Sequence, residues 1–462
     1  MRIRGSLRII ATGLTLVLAA GCTSRPKVDN SQHAAAIKRL VASTPAWVEH
    51  SRLGATLWKA ERDFYASRNN VPAWIDGDQP TTRLATLLDA LKASEDHGLD
   101  PARYGTEKFQ QAIALAKQNK DRIEVAKGPE LDARLTYAYL RYAADLLGWS
   151  PNPKAIYTNW VAAPNQTDLD ENLTKAVSSE NVRPVLGELA PQHPQYKGLQ
   201  AALQRERMNP TGHLDQIRMN LQRWRWMPRN LGDRYVFVNV PAYQMQVIEG
   251  SNPVLAMRVI VGDPMHPTPL FNDEMTTIVF SPNWNVPESI IRKEMLPKLV
   301  NDPGYLERQD IQVVGTSGQV IDAEGVDWGD ESSVAGLHFR QEPGPKNALG
   351  LVKFQFPNPF DVYMHDTPQD SLFNKQTRAL SHGCIRLENP VALAQYVLRG
   401  QPQWTTEKIA AAMNAGHEQA VPLKEHLPVH IGYFTAWVNP DASVTYTDDP
   451  YSLDAKQKAQ GS

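Results

Sequence analysis

Ser381-His382-Gly383-Cys384-Ile385-Arg386 is the stretch from which the rest of this chain is read. A cysteine attacks a carbonyl as its thiolate, and a nearby imidazole both takes the thiol proton and stabilises the anion. His382 and Cys384 are two positions apart, so in an extended segment they share one face. Gly383 frees the local dihedrals and lets a substrate backbone come close. The backbone N–H groups of His382, Gly383 and Cys384 are then candidates to face an oxyanion. Ser381 reads as a structural residue beside a better nucleophile. Arg386 is either a carboxylate-binding group or a salt-bridged strand residue.

Upstream lies Phe360-Asp361-Val362-Tyr363-Met364-His365-Asp366. Phe360, Val362 and Met364 alternate with Asp361, Tyr363 and His365, which predicts a strand with one apolar and one polar face. Tyr363 and His365 project together, so two histidines can converge on Cys384. A Cys–His–His set is also compatible with a structural role or a metal site. Zinc would want a fourth ligand or an open water position, and no paired His or carboxylate spacing supplies one, so no metal and no cofactor are expected.

Around this centre, residues 213–451 read as a β-dominated domain. Tyr235–Val240, Gln244–Ile248, Met257–Val261 and Thr276–Phe280 are β-rich runs separated by Gly, Pro, Asn and Asp. Val429–Trp437 and Val444–Thr447 are expected closing strands. Trp404–Gly416 is a late helix with Thr405 as its N-cap. The helical spacing of Ile290, Ile291, Met295 and Leu299, followed by irregular text, marks 288–345 as an α/β insertion of the kind that forms lids or substrate walls. Leu214–Trp226 is a short helix. Trp224, Trp226 and Trp284 suit core packing, with sugar stacking as the alternative.

Residues 34–208 are mostly helical. Leu84, Leu87, Leu88 and Leu91 keep helical spacing, as do Leu131, Leu135, Tyr139 and Tyr142 in a run stopped by Gly148 and Pro151. Residues 452–462 look like a tail. The fold class is therefore α+β, a helical domain followed by a mainly-β domain.

The formal charge of the 462 residues is −2, with no long run of one sign, which argues against a nucleic-acid partner. Arg2, Arg4 and Arg8 precede an apolar run, Ile9–Ala20, too short for a comfortable membrane span. Residues 1–21 thus read as a signal peptide, and 22–33 as a polar tether. The ending Leu18-Ala19-Ala20-Gly21-Cys22 resembles a bacterial lipoprotein cleavage site, which makes Cys22 the lipidated residue. An ordinary secretory signal is the alternative. The chain has two cysteines. With Cys22 lipidated, Cys384 is a lone thiol in an oxidising compartment, a liability unless its reactivity is used.

His365, followed by 15 residues and then Ser381-His382-Gly383-Cys384, closely resembles the signature of bacterial L,D-transpeptidases. Gly262 with Pro267-Thr268-Pro269, Asn283-Trp284-Asn285-Val286-Pro287, Gly344-Pro345 with Asn347-Ala348-Leu349-Gly350, Phe356-Pro357-Asn358-Pro359 and Ala436-Trp437 resemble the larger Gram-negative branch. Phe64-Tyr65, Pro72-Ala73-Trp74 and His97-Gly98-Leu99 resemble that branch's helical scaffold domain. Two departures stand out. Arg386 replaces the Asn many relatives carry, and the scaffold runs almost directly into Leu214, with no room for the small wall-binding module of longer relatives.

The resemblance implies a peptidoglycan transpeptidase that forms 3→3 cross-links between tetrapeptide stems through a Cys384 thioester. His365 is its base, oriented by a group near Asp366. His382 and Gly383 belong to the site, and Tyr363, Ser381 and Arg386 are substrate-side residues. It implies acylation of Cys384 by carbapenems and partnership with other wall-synthesis enzymes. The expected location is the periplasm, on a lipid anchor, with the outer membrane favoured over the inner. Water as acceptor would make an L,D-carboxypeptidase, and a protein lysine would make a wall-attachment enzyme. A non-catalytic envelope scaffold is the alternative of another class.

Overall fold

The computed structural model describes residues 30–460 apart from 121, 125, 163, 164 and 303. The expected signal peptide and the expected lipidation site, Cys22, lie outside the described residues. The tether's last residues already belong to a helix, Asn30–Leu40, in which His33 and Ile37 are buried. Among the described residues no helix is long and apolar enough to cross a membrane.

The N-terminal half packs helices around α1 (Arg52–Ser67), α2 (Thr82–Lys92) and α3 (Gly128–Leu146). The apolar stripe of α2 expected from its leucine spacing is observed, with Leu84, Leu87, Leu88 and Leu91 buried. A buried carboxylate organises this half. Asp132 on α3 accepts from the amides of Ala73, Trp74 and Ile75 at 2.8, 2.7 and 3.1 Å and from the Tyr65 hydroxyl at 2.7 Å. Those donors satisfy a group that would otherwise be costly to bury. They explain why Tyr65 and Pro72-Ala73-Trp74 read as fixed words of the sequence.

Helix α4 (Leu214–Trp226) joins the halves. Trp224 is buried, stacked at 4.4 Å on His193 of the helical half and 4.6 Å from Phe434 of the β half. One apolar core therefore runs across both halves. Trp226 is buried as well, so core packing is the role of both residues.

The β half is a nine-stranded sheet. Its strands are β1 (Arg234–Asn239), β2 (Gln244–Glu249), β3 (Asn252–Gly262), β4 (Asn272–Phe280), β5 (Val352–Gln355), β6 (Met364–His365), β7 (Ala379–Ser381), β8 (Ile385–Leu387) and β9 (Gln419–Gly432). Their spatial order is β7-β3-β8-β6-β5-β4-β9-β1-β2, and β2 also pairs with β3, so the sheet closes on itself. Closure removes exposed strand edges. A late helix, Thr406–Met413, is capped by Thr405, whose hydroxyl accepts from the Lys408 amide at 3.3 Å.

The insertion has its own sheet and its own core. Trp284–Asn285, His338–Gln341, Ile311–Val314 and Val320–Ile321 pair in that order. Val286, Leu299, Leu306, Val313 and Phe339 pack beneath them.

Three segments differ from expectation. The closing strand expected over Val429–Trp437 stops at Gly432, and a separate strand, Ala436–Val438, pairs with Val444–Tyr446. The strand expected over 360–366 is confined to Met364–His365. Asn358 holds the preceding residues in a turn, its side chain accepting from the amides of Phe360 and Val362 at 3.1 and 3.2 Å. Asp361 there takes φ 52°. The expected tail contains α5 (Leu453–Ala459). Asp454 lies 2.6 Å from buried Arg223 of α4, and the Gln457 side chain accepts from Arg223 Nε at 3.0 Å.

Candidate active site

The central strands bring the predicted residues together. β6 lies between β5 and β8, so His365 pairs across the sheet with Lys353 on one side and Arg386 on the other. Cys384 immediately precedes β8 and shares the parity of Arg386. Cys384, His365, His382, Tyr363, Ser381 and Arg386 all line one cavity of about 790 Å³. Trp284 lines it too. Gly383 is in the same loop with φ 112°, a conformation in which glycine is favoured. It bends the chain between His382 and Cys384, so the shared extended face expected for the pair is not formed.

His365 is buried, and its Nδ1 lies 2.5 Å from the backbone carbonyl of Asp366. A carbonyl only accepts, so Nδ1 carries the proton and Nε2 is the acceptor of the neutral ring. Burial, followed by the Arg386 charge, pushes the imidazole down to about 3. The Asp366 side chain is itself fixed, accepting from the amides of Leu351 and Thr367 at 2.8 and 2.7 Å.

Burial pushes the Cys384 thiol up. Hydrogen bonds from the backbone and the hydroxyl of Tyr363, and then the charges of Arg386 and Lys353, pull the other way. The hydroxyl of Tyr363 is pushed well up by burial and by the neighbouring sulfur, so it stays a donor. Its ring lies 5.7 Å from that of His365. The Lys353 ammonium lies 5.4 Å from the centre of the Tyr363 ring.

The loop holding the thiol is built by hydroxyls. Ser381 Oγ donates to the Cys384 carbonyl at 2.6 Å and accepts from the Gly383 amide at 3.2 Å. Thr268 Oγ1 donates to the Gly383 carbonyl at 2.8 Å and accepts from the Gly262 amide at 2.9 Å. Tyr451 donates to the Gly262 carbonyl at 2.6 Å. The Gly383 amide is thus turned toward Ser381. Of the three amides expected to face an oxyanion, those of His382 and Cys384 have no hydrogen-bond partner among the described residues.

Arg386 Nη1 donates to Gln369 at 2.8 Å, while its buried Nε has no partner. No carboxylate pairs with it among the described residues, so the salt-bridged alternative is not what the fold adopts. His382 Nε2 contacts the carboxylate of Glu294, on the insertion. Among the described residues no group of three or more His, Cys, Asp or Glu is placed to hold a metal ion.

Sequence reasoning missed Lys353, Glu294, Thr268, Tyr451 and Gln369. Lys353 had a weak signal, a single cation between the apolar Val352 and Phe354 of a strand. Glu294 had none, since its partner is 88 residues away.

Comparison with known proteins identifies the two domains. A curated Haemophilus influenzae protein described as "Putative L,D-transpeptidase" is 28% identical over 404 residues, covering 85% of this chain and 77% of its own length. Among solved structures, "L,D-transpeptidase from Mycobacterium smegmatis" aligns over 43% of this chain with 14% identity and a TM-score of 0.20. This chain spans 58% of that protein's length. Residues 59–203 match the Scaffold domain model and residues 233–405 match the L,D-transpeptidase catalytic domain model. The helical half therefore contains a Scaffold domain and the closed β half an L,D-transpeptidase catalytic domain.

Proposed function

We propose that this protein cross-links peptidoglycan by L,D-transpeptidation, with Cys384 as nucleophile and His365 as general base. The observation that carries the reading is the tautomer of His365. With Nδ1 committed to the Asp366 carbonyl, Nε2 is the acceptor on the ring of a cavity that also contains the thiol. The thiol attacks the carbonyl between the diamino acid and the terminal D-Ala of a tetrapeptide stem, and its proton passes to His365. The amides of His382 and Cys384, with the Tyr363 hydroxyl, stabilise the oxyanion. D-Ala leaves with the proton from His365, and a thioester remains. The side-chain amine of a second stem's diamino acid resolves it to a 3→3 cross-link.

Arg386 is the carboxylate anchor in this scheme, a partly buried guanidinium with an unfilled donor. Ser381 shapes the loop. Carbapenems acylate the same sulfur. The cysteine at position 22 carries a lipid that holds the enzyme to the envelope from the periplasmic side, with the outer membrane favoured, where it works alongside other wall-synthesis enzymes.

Water in place of the amine would give an L,D-carboxypeptidase, and a protein lysine would give a wall-attachment enzyme. The wall that the insertion adds to the cavity favours a bulky acceptor over water. The test is mass spectrometry of products from residues 23–462 mixed with purified disaccharide-tetrapeptides. Dimers joined 3→3, absent with Cys384→Ala, are expected. Tripeptide monomers alone would move the assignment to carboxypeptidase. Turnover by the Cys384→Ala protein would remove the nucleophile from the scheme.

A further inference from the structure

Among the described residues, the insertion meets the thiol-bearing loop at the carboxylate of Glu294, which contacts His382 Nε2. Glu294 sits in a π-helical turn, Ile291–Met295. Such turns re-aim side chains and are frequent at functional sites. The His382 ring also lies 4.8 Å from that of His266, whose Nδ1 is 3.2 Å from Asp263.

The cavity is lined by the cations Arg386, Lys298 and Lys346 and by the carboxylates of Glu294 and Asp361. Lys346 lies 3.3 Å from Asp310, and Lys298 lies over the ring of Tyr305 at 5.3 Å. Glu294 and Asp361 are the acidic residues of the lining, and Glu294 is the one joined to an imidazole beside the thiol. Arg386, two positions from Cys384, thus suits the carboxylate of a donor stem, and Glu294, joined to the imidazole beside the thiol, suits an ammonium.

We infer that Glu294 and His382 form the acceptor subsite. This inference rests on the transpeptidase reading and deepens it. The Glu294 carboxylate holds the ammonium of the incoming diamino acid by charge-assisted hydrogen bonds. His382 donates from Nε2 to Glu294, which leaves Nδ1 as the nitrogen that can take a proton from the acceptor. One proton of the ammonium passes to His382. The free amine attacks the thioester carbonyl, the C–N bond forms, the C–S bond breaks, and the second amine proton goes to the departing thiolate. Water has no charge for Glu294 to select, so the same contact biases the acyl-enzyme toward cross-linking.

The experiment compares wild type with Glu294→Gln and Glu294→Asp on purified disaccharide-tetrapeptides, reading the ratio of dimer to tripeptide within each sample. Gln preserves a hydrogen-bond acceptor for His382 and removes the charge. The ratio is expected to fall at least tenfold in E294Q and to recover in part in E294D, with the acceptor concentration for half-maximal dimer formation rising. An unchanged ratio in E294Q overturns the inference. So does a proportional fall of dimer and tripeptide together, which would mean that Glu294 merely seats the insertion. Tripeptide alone from the wild type overturns the acceptor subsite while leaving the nucleophile standing. Absence of any acyl adduct on wild-type Cys384 overturns both readings.

Discussion

His365 is held by its own neighbour, its Nδ1 donating to the backbone carbonyl of Asp366 at 2.5 Å. A carbonyl only accepts, so this bond fixes the tautomer and the ring plane, and it partly opposes the lowering of the imidazole by burial. It is a positional device, and it makes Nε2 the basic atom. Replacing His365 by Ala should slow acylation of Cys384 by about 10²–10⁴-fold, the usual span for a positioned base. The rate of carbapenem adduct formation, followed by intact mass, checks this. A change of less than about threefold would remove His365 from the mechanism.

The same geometry predicts the resting charge state. His365 is pushed down to about 3 and the Cys384 thiol is pushed up. Near neutral pH the pair is therefore thiol and neutral imidazole, without a preformed ion pair. Alkylation of Cys384 by iodoacetamide should accelerate as pH rises through a value above the roughly 8.5 of a free thiol. An inflection near pH 6 would instead report a thiolate–imidazolium pair.

Gly350 offers a test that touches no reacting group. It has φ 61°, and a Cβ there would come 2.4 Å from Asp366 Cγ. Gly350→Ala should displace Asp366 and with it the carbonyl that orients His365. The strain should cost about 1–3 kcal/mol of stability, a modest lowering of the melting temperature, together with at least tenfold slower acylation. Acylation at the wild-type rate in the folded variant would show that this orientation is dispensable.

Arg386→Ala should raise KM for the tetrapeptide donor and lower kcat/KM by about 10–100-fold, the equivalent of about 1.5–3 kcal/mol for one charge-assisted hydrogen bond. A donor truncated to lack the matching carboxylate should show no such difference between wild type and variant. Equal losses on both donors would return Arg386 to a structural role.

How much of this was legible in the sequence depends on the distance over which each feature is encoded. Cys384, His382, Tyr363 and His365 are close in sequence, so spacing singled them out as candidates, while the role of His365 as base came from the family resemblance. The α4 helix and the Thr405 cap were local too, and they form where expected. Lys353 acquires meaning only because β5 pairs with β6, and Glu294 only because a separately cored insertion folds over the loop. The strand over 360–366 was overread because the alternation of residues was intact while the Asn358 turn overrode it. Helix α5 was overlooked because it is short and mostly polar, its place set by Arg223 of α4 rather than by any pattern of its own.

The bond from Tyr451 to Gly262, continued through Thr268 to Gly383, has a consequence for biosynthesis. The thiol's own loop is fastened by a residue that leaves the ribosome well after it. During synthesis, Cys384 emerges before the hydroxyl that braces its neighbour exists in folded form. A nascent chain therefore exposes its nucleophile as an ordinary thiol first and as a seated one last, and the interval between the two is when mispairing with other thiols is most to be expected.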